Sequence, residues 1–222
     1  MKILKHLSVL LVDDEVLIRQ SMKNSLSYFF GKVIVCSNGL EALDILKKEK
    51  IDIIFTDYEM PIMNGYELIK EIRSFNKKIL ITVFSNHDDK EKLIKCIPLG
   101  LSGYLIKPIK FEEFKKHMSY LEEEVEKLKL YEFTFGNTHI FNIHNSTLKH
   151  KEKEYQLTKL ESEFLNIFAN LNSQVVNLDM INDNTTDFEA TPKKVADLVY
   201  RIKSKYDFPY IKNIKDIGYI LV

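Results

Sequence analysis

The stretch 53-IIFTDYEMPIMNGYEL-68 decides the fold, because a run of branched apolar residues ends there on an aspartate, Asp57, and a helical pattern follows. Similar apolar runs occur at residues 7–12, 32–36, 78–84 and 103–107, and segments with helical spacing of apolar residues lie between them. Strand and helix patterns therefore alternate five times, which predicts a parallel sheet with helices on both faces. The strands are apolar throughout because helices cover both faces of such a sheet.

The composition is that of an ordinary globular protein. The chain has 222 residues, enough for one large domain or two small ones, with 45% hydrophobic and 29% charged residues and a formal net charge of zero. A zero net charge gives no overall basic field for a nucleic acid. The two cysteines, Cys36 and Cys96, match no metal-binding or redox spacing. The amino-terminal apolar run is too short for a signal peptide and no stretch is long enough to span a bilayer, so we expect a cytoplasmic protein with no membrane partner.

The residues just past each predicted strand have the chemistry of a functional site. Parallel strands end at one edge of the sheet, where open α/β sheets bind ligands. Asp13 and Asp14 follow the first strand, Asp57 the third, Ser85 the fourth and Lys107 the fifth. Carboxylates so close together need protonation or a cation, and Mg²⁺ suits oxygen ligands. An ionised carboxylate beside Mg²⁺ can attack phosphorus. Each residue alone would also serve as a helix cap or a solvated strand end, but the combination favours a site.

Four segments of the first half, LLVDDE, TDYEMPIMNGYEL, VFSN and GYLIKP, resemble the receiver domain of two-component response regulators. The resemblance covers residues 1–120 and implies a flavodoxin-like, CheY-like α/β fold with a five-stranded doubly wound parallel sheet. It implies that a histidine kinase phosphorylates Asp57, that Ser85 and Lys107 bind the phosphoryl group, and that Tyr104 is an aromatic switch that turns inward. The implied magnesium site has Asp14 as a direct ligand, Asp13 close by, Asp57 and the backbone carbonyl of Glu59.

Two positions depart from the receiver pattern near this site. Asn86 follows Ser85, where receivers usually have a small residue. Position 59 is Glu, which places a charge near the path of an attacking water. We therefore expect an atypical rate of hydrolysis for the aspartyl phosphate.

A different pattern begins at residue 131. Apolar and polar residues alternate between turn signals, which predicts an antiparallel meander. Thr158 and Glu161 form a capping box at the start of an apolar helical stripe, and Thr191 with Pro192 begins a further helix. The last segment, YIKNIKDIGYILV, has the pattern of a hairpin. We therefore predict an α+β domain over residues 131–222.

Basic charge is concentrated in one part of this second domain. Residues 191–215 have seven basic and two acidic side chains, a net charge of +5, whereas residues 131–190 have four lysines and nine acids, a net charge of −5. A charged helix face is usually only solvated. A basic helix just before a terminal hairpin, however, is typical of the recognition helix in a winged helix-turn-helix.

The segments LTKLESEFLNIFANLNSQVV and VYRIKSKYDFPYIKNIKDIGYIL resemble the OmpR/PhoB-type winged-helix DNA-binding domain. The implied DNA-binding residues are Lys193, Lys194, Asp197 and Arg201 toward the major groove, Lys203 and Lys205 toward phosphates, and Lys215 on the wing. Acidic residues 183–189 form either a plain surface loop or a loop that touches RNA polymerase. The predicted recognition helix has Lys where Arg is usual, and the wing has Asp216 where Gly is usual. These two differences predict a modest affinity for DNA, which should fall more with added salt than with a change of base.

The helix predicted from residue 111 runs on past the receiver without Gly or Pro, so we treat residues 121–130 as an extended helical linker. Its apolar residues are spaced alternately by three and four, as in a coiled coil. The helix either packs on the sheet and the next domain or forms a homodimer through a seam of Met118, Leu121, Val125 and Leu128. The charged pairs that usually join such receivers are missing, since their positions hold Ser102, Gly103 and His117.

The sequence thus predicts a phosphorylation-switched, sequence-specific DNA-binding transcription regulator, and not an enzyme. One alternative is an orphan regulator of the same build that binds DNA without phosphorylation. Another is a phosphatase with an Asp nucleophile, which would use Glu59, two residues after Asp57, as its acid/base partner. The phosphatase leaves the basic helix unexplained.

Overall fold

The structure is a computed structural model that describes residues 3–86, 90–170 and 175–222. The chain divides into two compact units, Met1–Leu130 and Tyr131–Val222. Within the described ranges, every helix is too short or too polar to cross a membrane.

A parallel sheet forms the centre of the N-terminal unit. Its described strands are β1 (Ser8–Val12), β2 (Lys32–Cys36), β3 (Ile53–Asp57), β4 (Leu80–Ser85) and β5 (Gly103–Ile106), in the order β2-β1-β3-β4-β5. Neighbouring strands are parallel throughout. Strands β1, β3 and β4 are buried along their whole length, as their apolar runs predict. The strand order reverses between β1 and β3, so their carboxyl ends flank the crevice where such sheets bind ligands.

Helices cover both faces of this sheet. They are α1 (Val16–Phe29), α2 (Gly39–Lys48), α3 (Gly65–Phe75), α4 (Lys90–Cys96) and α5 (Phe111–Leu128). Side chains of α2 and α3 share an apolar core with Leu10 of β1 and Ile54 of β3. Successive strand residues point to opposite faces, and on the other face Phe55 contacts the rings of Phe30 and His117 edge-on. The predicted five-stranded doubly wound α/β fold is thus confirmed.

Helix α5 belongs to the N-terminal unit over its whole length. Met118, Leu121 and Val125 are buried, whereas Leu128 is 44% exposed. The helix contacts a short 3₁₀ helix, Ile3–His6, whose apolar side chains are also buried. The three-and-four spacing therefore already has a packing partner within the chain. The homodimer seam stays a prediction, and forming it would require uncovering three buried side chains.

His117 of α5 packs directly on the sheet. Its Nε2 lies 2.7 Å from the hydroxyl of Thr82 on β4. It also lies so close to Gly103 of β5 that a Cβ at position 103 would be 2.2 Å from the imidazole Cε1. Burial lowers the pKa of His117 to about 4. The ring is therefore neutral near pH 7 and turned inward, so it does not replace the missing charged pairs between receivers.

His117 is expected to make the N-terminal unit less stable in mild acid. In the unfolded chain its pKa is near 6.5 and in the folded chain about 4, so below pH 6.5 the unfolded state takes up a proton that the folded state does not. Stability should therefore fall by about 2 kcal/mol between pH 7 and pH 5. Urea unfolding at both pH values should show a smaller loss for His117→Gln. An equal loss in both proteins would contradict the assignment.

The C-terminal unit begins with an antiparallel sheet. Its described strands, in order, are β6 (Glu132–Phe135), β7 (His139–Asn142), β8 (Thr147–His150) and β9 (Lys153–Gln156). Helices α6 (Lys159–Asn170), α7 (Leu178–Asn184) and α8 (Pro192–Tyr206) follow, and β10 (Ile211–Ile214) pairs with β11 (Gly218–Leu221) in an antiparallel hairpin. Asp216 takes the left-handed conformation at the tip of this hairpin, with φ of 61°, which Asp tolerates better than most residues. The predicted α+β winged helix-turn-helix architecture is confirmed.

Glu161 joins α6 to α8 inside this unit. The side chain is fully buried, and its Oε2 accepts hydrogen bonds from the Thr158 amide and the Tyr206 hydroxyl, both at 2.9 Å. Its Oε1 lies 3.4 Å from Nε of Arg201 and 3.5 Å from Nζ of Lys205. Burial alone would raise the pKa of Glu161, but the bonds from Thr158 and Tyr206 outweigh it and lower the pKa. The carboxylate therefore stays charged in the interior.

Candidate functional site

Polar residues from the strand ends meet at the carboxyl edge of the parallel sheet. Asp13 follows β1, Asp57 is the last residue of β3, and Lys107 follows β5. Asp13, Asp14 and Asp57 each offer a carboxylate oxygen within 4.8 Å of the other two. Asp13 and Asp57 are buried, while Asp14 is exposed. We call these three carboxylates with Lys107 the acidic cluster.

Lys107 is the cation of the acidic cluster. Its Nζ lies 2.9 Å from Oδ2 of Asp13 and 2.7 Å from Oδ2 of Asp57. Burial alone would lower the pKa of Lys107, but its hydrogen bonds to the two carboxylates outweigh that effect and raise the pKa. Burial likewise raises the pKa of Asp57, against the lowering effect of Lys107. One ammonium faces three carboxylates, so the cluster favours a further cation.

The acidic cluster has the chemistry of a magnesium site. Its donors are all oxygens, the ligand type that hard divalent cations prefer. Asp14 and Glu59 line one depression beside it, and the Glu59 amide donates to Oδ1 of Asp57 at 3.3 Å. Mg²⁺ usually keeps several waters in proteins, and the exposed carboxylate of Asp14 suits such a partly hydrated ion.

The loop after β3 lies close to Asp57. The Gly65 amide donates to the carbonyl oxygen of Tyr58 at 2.9 Å, and a Cβ at position 65 would lie 2.2 Å from the carbonyl oxygen of Asp57. Glycine is needed here for this close approach of two backbone segments. Asn64 then caps α3 through a capping box with Glu67. Together these contacts fix the backbone at the candidate nucleophile.

Ser85 and Tyr104 lie on neighbouring strands beside the acidic cluster. Ser85 is buried, and its hydroxyl donates to the carbonyl oxygen of Asn86 at 3.3 Å. Its own carbonyl accepts from the Lys107 amide at 2.8 Å, which ties β4 to the residue after β5. Tyr104 is half-buried and packs against the core formed by α2 and α3. To donate a hydrogen bond to a phosphoryl group on Asp57, the Ser85 hydroxyl would have to leave the carbonyl oxygen of Asn86. The side chain of Asn86 itself is exposed.

Sequence reasoning missed two basic residues at this site. Lys92 of α4 forms an ion pair with Glu59 and lies over the ring of Tyr58, 5.2 Å from its centroid. Arg19 of α1 donates from Nη1 to the carbonyl oxygen of Asp13 at 2.5 Å. Lys92 follows no pattern in the sequence that separates it from other surface lysines. Arg19, by contrast, lies within two turns of the acidic pair, and that spacing would have pointed to it.

Helix α8 presents two different polar surfaces. Its buried stripe consists of Val195, Leu198, Val199, Ile202 and Tyr206. Along one flank, Lys194 lies 3.5 Å from Glu189, while Arg201 and Lys205 are paired with Glu161. The face opposite the buried stripe is exposed and contains Lys193, Asp197, Tyr200 and Ser204. We call these four residues, spaced by four, three and four, the outer stripe of α8.

The structure thus separates the predicted DNA-binding residues. Lys193 and Asp197 lie in the outer stripe, and Lys215 lies at the turn of the β10–β11 hairpin. Arg201, with its side chain 53% exposed, is turned toward Glu161, so it is not directed straight outward as expected. Tyr200, 74% exposed in the outer stripe, was missed because the predicted DNA-binding residues were all charged.

The acidic cluster agrees with the comparisons to known proteins. Residues 9–119, half of the chain, match the response regulator receiver domain family. The response regulator MprA of Mycobacterium avium is 25% identical and aligns with 96% of this chain and 97% of its own length. Chemotaxis protein CheY-3 of Vibrio cholerae is 31% identical over 54% of this chain and 95% of its own. The solved structure of DrrB, an OmpR/PhoB homologue from Thermotoga maritima, is 22% identical, covers 97% of this chain and 99% of its own, and has a TM-score of 0.47.

An acidic strand-end cluster in a doubly wound sheet, together with the family match, defines a response regulator receiver domain, and a unit with winged helix-turn-helix architecture follows it in the same chain. The chain belongs to the response regulator receiver family. It is a response regulator, as the sequence predicts.

Proposed function

We propose that phosphorylation of Asp57 by a histidine kinase controls DNA binding by the C-terminal unit. The observation that carries this proposal is the arrangement of Asp57, buried at the end of β3 and within reach of the Lys107 ammonium. A basic helix in a winged-helix unit follows in the same chain. A phosphoacceptor and a DNA-binding surface in one chain make a switch.

Phosphoryl transfer at this site requires little beyond positioning and charge. An Asp57 carboxylate oxygen would bond to phosphorus while the bond from phosphorus to the kinase's histidine nitrogen breaks. Lys107 would remain beside the new phosphoryl oxygens, since its Nζ is already 2.7 Å from the carboxylate. Asp13, Asp14, Asp57 and the carbonyl of Glu59 would hold Mg²⁺, which offsets negative charge on the phosphoryl group.

The response would start at Ser85. Its hydroxyl would leave the Asn86 carbonyl to donate to the phosphoryl group, and Tyr104 on the adjacent strand would turn into the space beside it. Such a change can increase DNA affinity only if the phosphorylated conformation binds DNA better than the unphosphorylated one.

A homodimer and a contact of residues 183–189 with RNA polymerase belong to the same proposal. In that segment, Asp187 and Glu189 pair with Lys159 and Lys194, respectively.

DNA binding would use α8 in the major groove and the β10–β11 hairpin as the wing. Lys193 and Lys203 on α8, with Lys215 on the hairpin, would neutralise phosphates and make the affinity strongly dependent on salt. Lys194, Arg201 and Lys205 would first have to share or release their acidic partners. This cost supports the modest affinity expected from the sequence.

The phosphatase alternative is disfavoured by the position of Glu59. Its carboxylate is engaged by Lys92, and it would have to leave this ion pair to act as the acid/base partner of Asp57. The orphan alternative remains the relevant competitor, because the acidic cluster alone does not show that phosphorylation changes the affinity for DNA.

The full chain is expected to bind DNA roughly tenfold more tightly, or better, after treatment with acetyl phosphate and Mg²⁺. Fluorescence anisotropy with a randomised labelled duplex pool and with selected duplexes would measure the affinity at several salt concentrations. Intact mass spectrometry of the same samples would measure the phosphorylated fraction. Equal affinities for phosphorylated and untreated chain would establish the orphan alternative. Steady release of phosphate from a phosphate ester would support the phosphatase.

A further inference from the structure

The outer stripe of α8 is unusual for a surface that approaches DNA, because an acid lies in it. Asp197 is exposed, one turn from Lys193 and one turn from Tyr200. Within the described part of the chain, the side chains of Asp197 and Tyr200 form no hydrogen bond or ion pair, in contrast to the flank residues held by Glu161 and Glu189. Both side chains are therefore available to a ligand.

The placement of Asp197 decides which bases it can accept. The carboxylate is an acceptor only, and guanine presents two acceptors in the major groove while thymine presents an acceptor and a methyl group. Adenine has an amino donor, but its N7 acceptor lies beside it. Cytosine presents its N4 amino group as a donor without an adjoining ring acceptor. A carboxylate at this place therefore disfavours binding to guanine, thymine and adenine, and it matches cytosine.

Resting on the proposed DNA binding, we propose that Asp197 is the specificity-determining residue of this chain and selects cytosine in the major groove. Repulsion between the carboxylate and acceptor-bearing bases is as important as the new hydrogen bond, because specificity is a difference between affinities. The neighbouring ring of Tyr200, 74% exposed, would cover the contact from water on one side.

The test is selection of bound duplexes from a randomised pool by the phosphorylated full chain, in parallel for the native protein and for Asp197→Asn. The native chain should enrich cytosine at one position, by about tenfold over the other bases. Asp197→Asn should move the preference at that same position to adenine, because an amide pairs with adenine N6 and N7. Glu154→Gln removes the same charge from exposed β9 and should leave the cytosine preference unchanged.

Three outcomes are distinguishable. Enrichment of cytosine that becomes adenine only in Asp197→Asn supports the inference. Bound DNA without a cytosine position, or with one that Asp197→Asn leaves unchanged, overturns the inference while the proposed function stands. Failure of the phosphorylated native chain to retain any DNA at low salt overturns the proposed function itself. Circular dichroism melting of each variant confirms that it is folded.

Discussion

Asp57→Asn is expected to abolish phosphorylation of this chain by acetyl phosphate and Mg²⁺. The substitution keeps the shape of the side chain but replaces the nucleophilic carboxylate oxygen by an amide, which does not attack phosphorus. Intact mass spectrometry should show the mass of one added phosphoryl group for the native chain and none for the variant. Any increase in DNA affinity that acetyl phosphate produces in the native chain should be absent in Asp57→Asn.

The matched control is Asp44→Asn. Asp44 is an exposed residue of α2 that pairs with Lys47, far in sequence from the strand ends, so its loss should leave phosphorylation intact. Phosphorylation that persists in Asp57→Asn would reassign the nucleophile, with Asp13 or Asp14 as the remaining carboxylates of the cluster. Phosphorylation lost equally in both variants would point to a general effect of the substitutions.

Loss of phosphorylation in Asp57→Asn will not be explained by unfolding. Burial and the nearby charge of Asp13 raise the pKa of Asp57, which means that the folded state disfavours its charged form. A neutral amide at this position should therefore leave stability unchanged or increase it in metal-free buffer. Thermal melting of the two proteins in EDTA checks this directly.

Glu161→Ala is expected to destabilise the C-terminal unit by about 3 kcal/mol. The substitution removes one buried and one partly buried hydrogen bond and leaves the Tyr206 hydroxyl and the Thr158 amide without their partner. We discount the ion pairs with Arg201 and Lys205, whose side chains are 53% and 45% exposed, because water screens them. The midpoint of urea unfolding, followed by circular dichroism, should fall accordingly.

Two further variants separate the contributions at Glu161. Tyr206→Phe removes only the hydroxyl and should cost about 1 kcal/mol. Its effect should be smaller in the Glu161→Ala background, because the interaction is already lost. Glu154→Ala, on exposed β9, should have little effect. A Glu161→Ala protein as stable as the native chain would show that the buried carboxylate is dispensable for folding.

Much of the receiver could be predicted because its information is local. Continuous apolar runs predicted β1, β3 and β4, since helices cover both sides of these strands. Parallel strands end at one edge, so the sequence was enough to place Asp13, Asp57 and Lys107 together. In the C-terminal unit, apolar residues spaced by three and four predicted α8 and its buried stripe, and Thr191 with Pro192 marked the start of this helix.

The pairing of charged side chains could not be predicted in the same way. Lys92 and Glu59 are 33 residues apart, and many other lysines would have served equally well in the sequence. Arg201 has the spacing of a DNA-contacting residue, yet in the folded unit the buried Glu161 draws it aside. Long flexible side chains select partners by three-dimensional proximity, which helical spacing alone does not specify.

The sequence by itself determined the order of strands and helices, the acidic residues at the strand ends and the basic character of α8, because these depend on side-chain periodicity and on the geometry of parallel sheets. The tertiary structure alone decided that Met118, Leu121 and Val125 of the predicted α5 seam are buried, that His117 faces the sheet, and that Arg201 turns toward Glu161. Those outcomes depend on which surfaces pack together, since an apolar spacing is equally compatible with a partner in the same chain or in another copy.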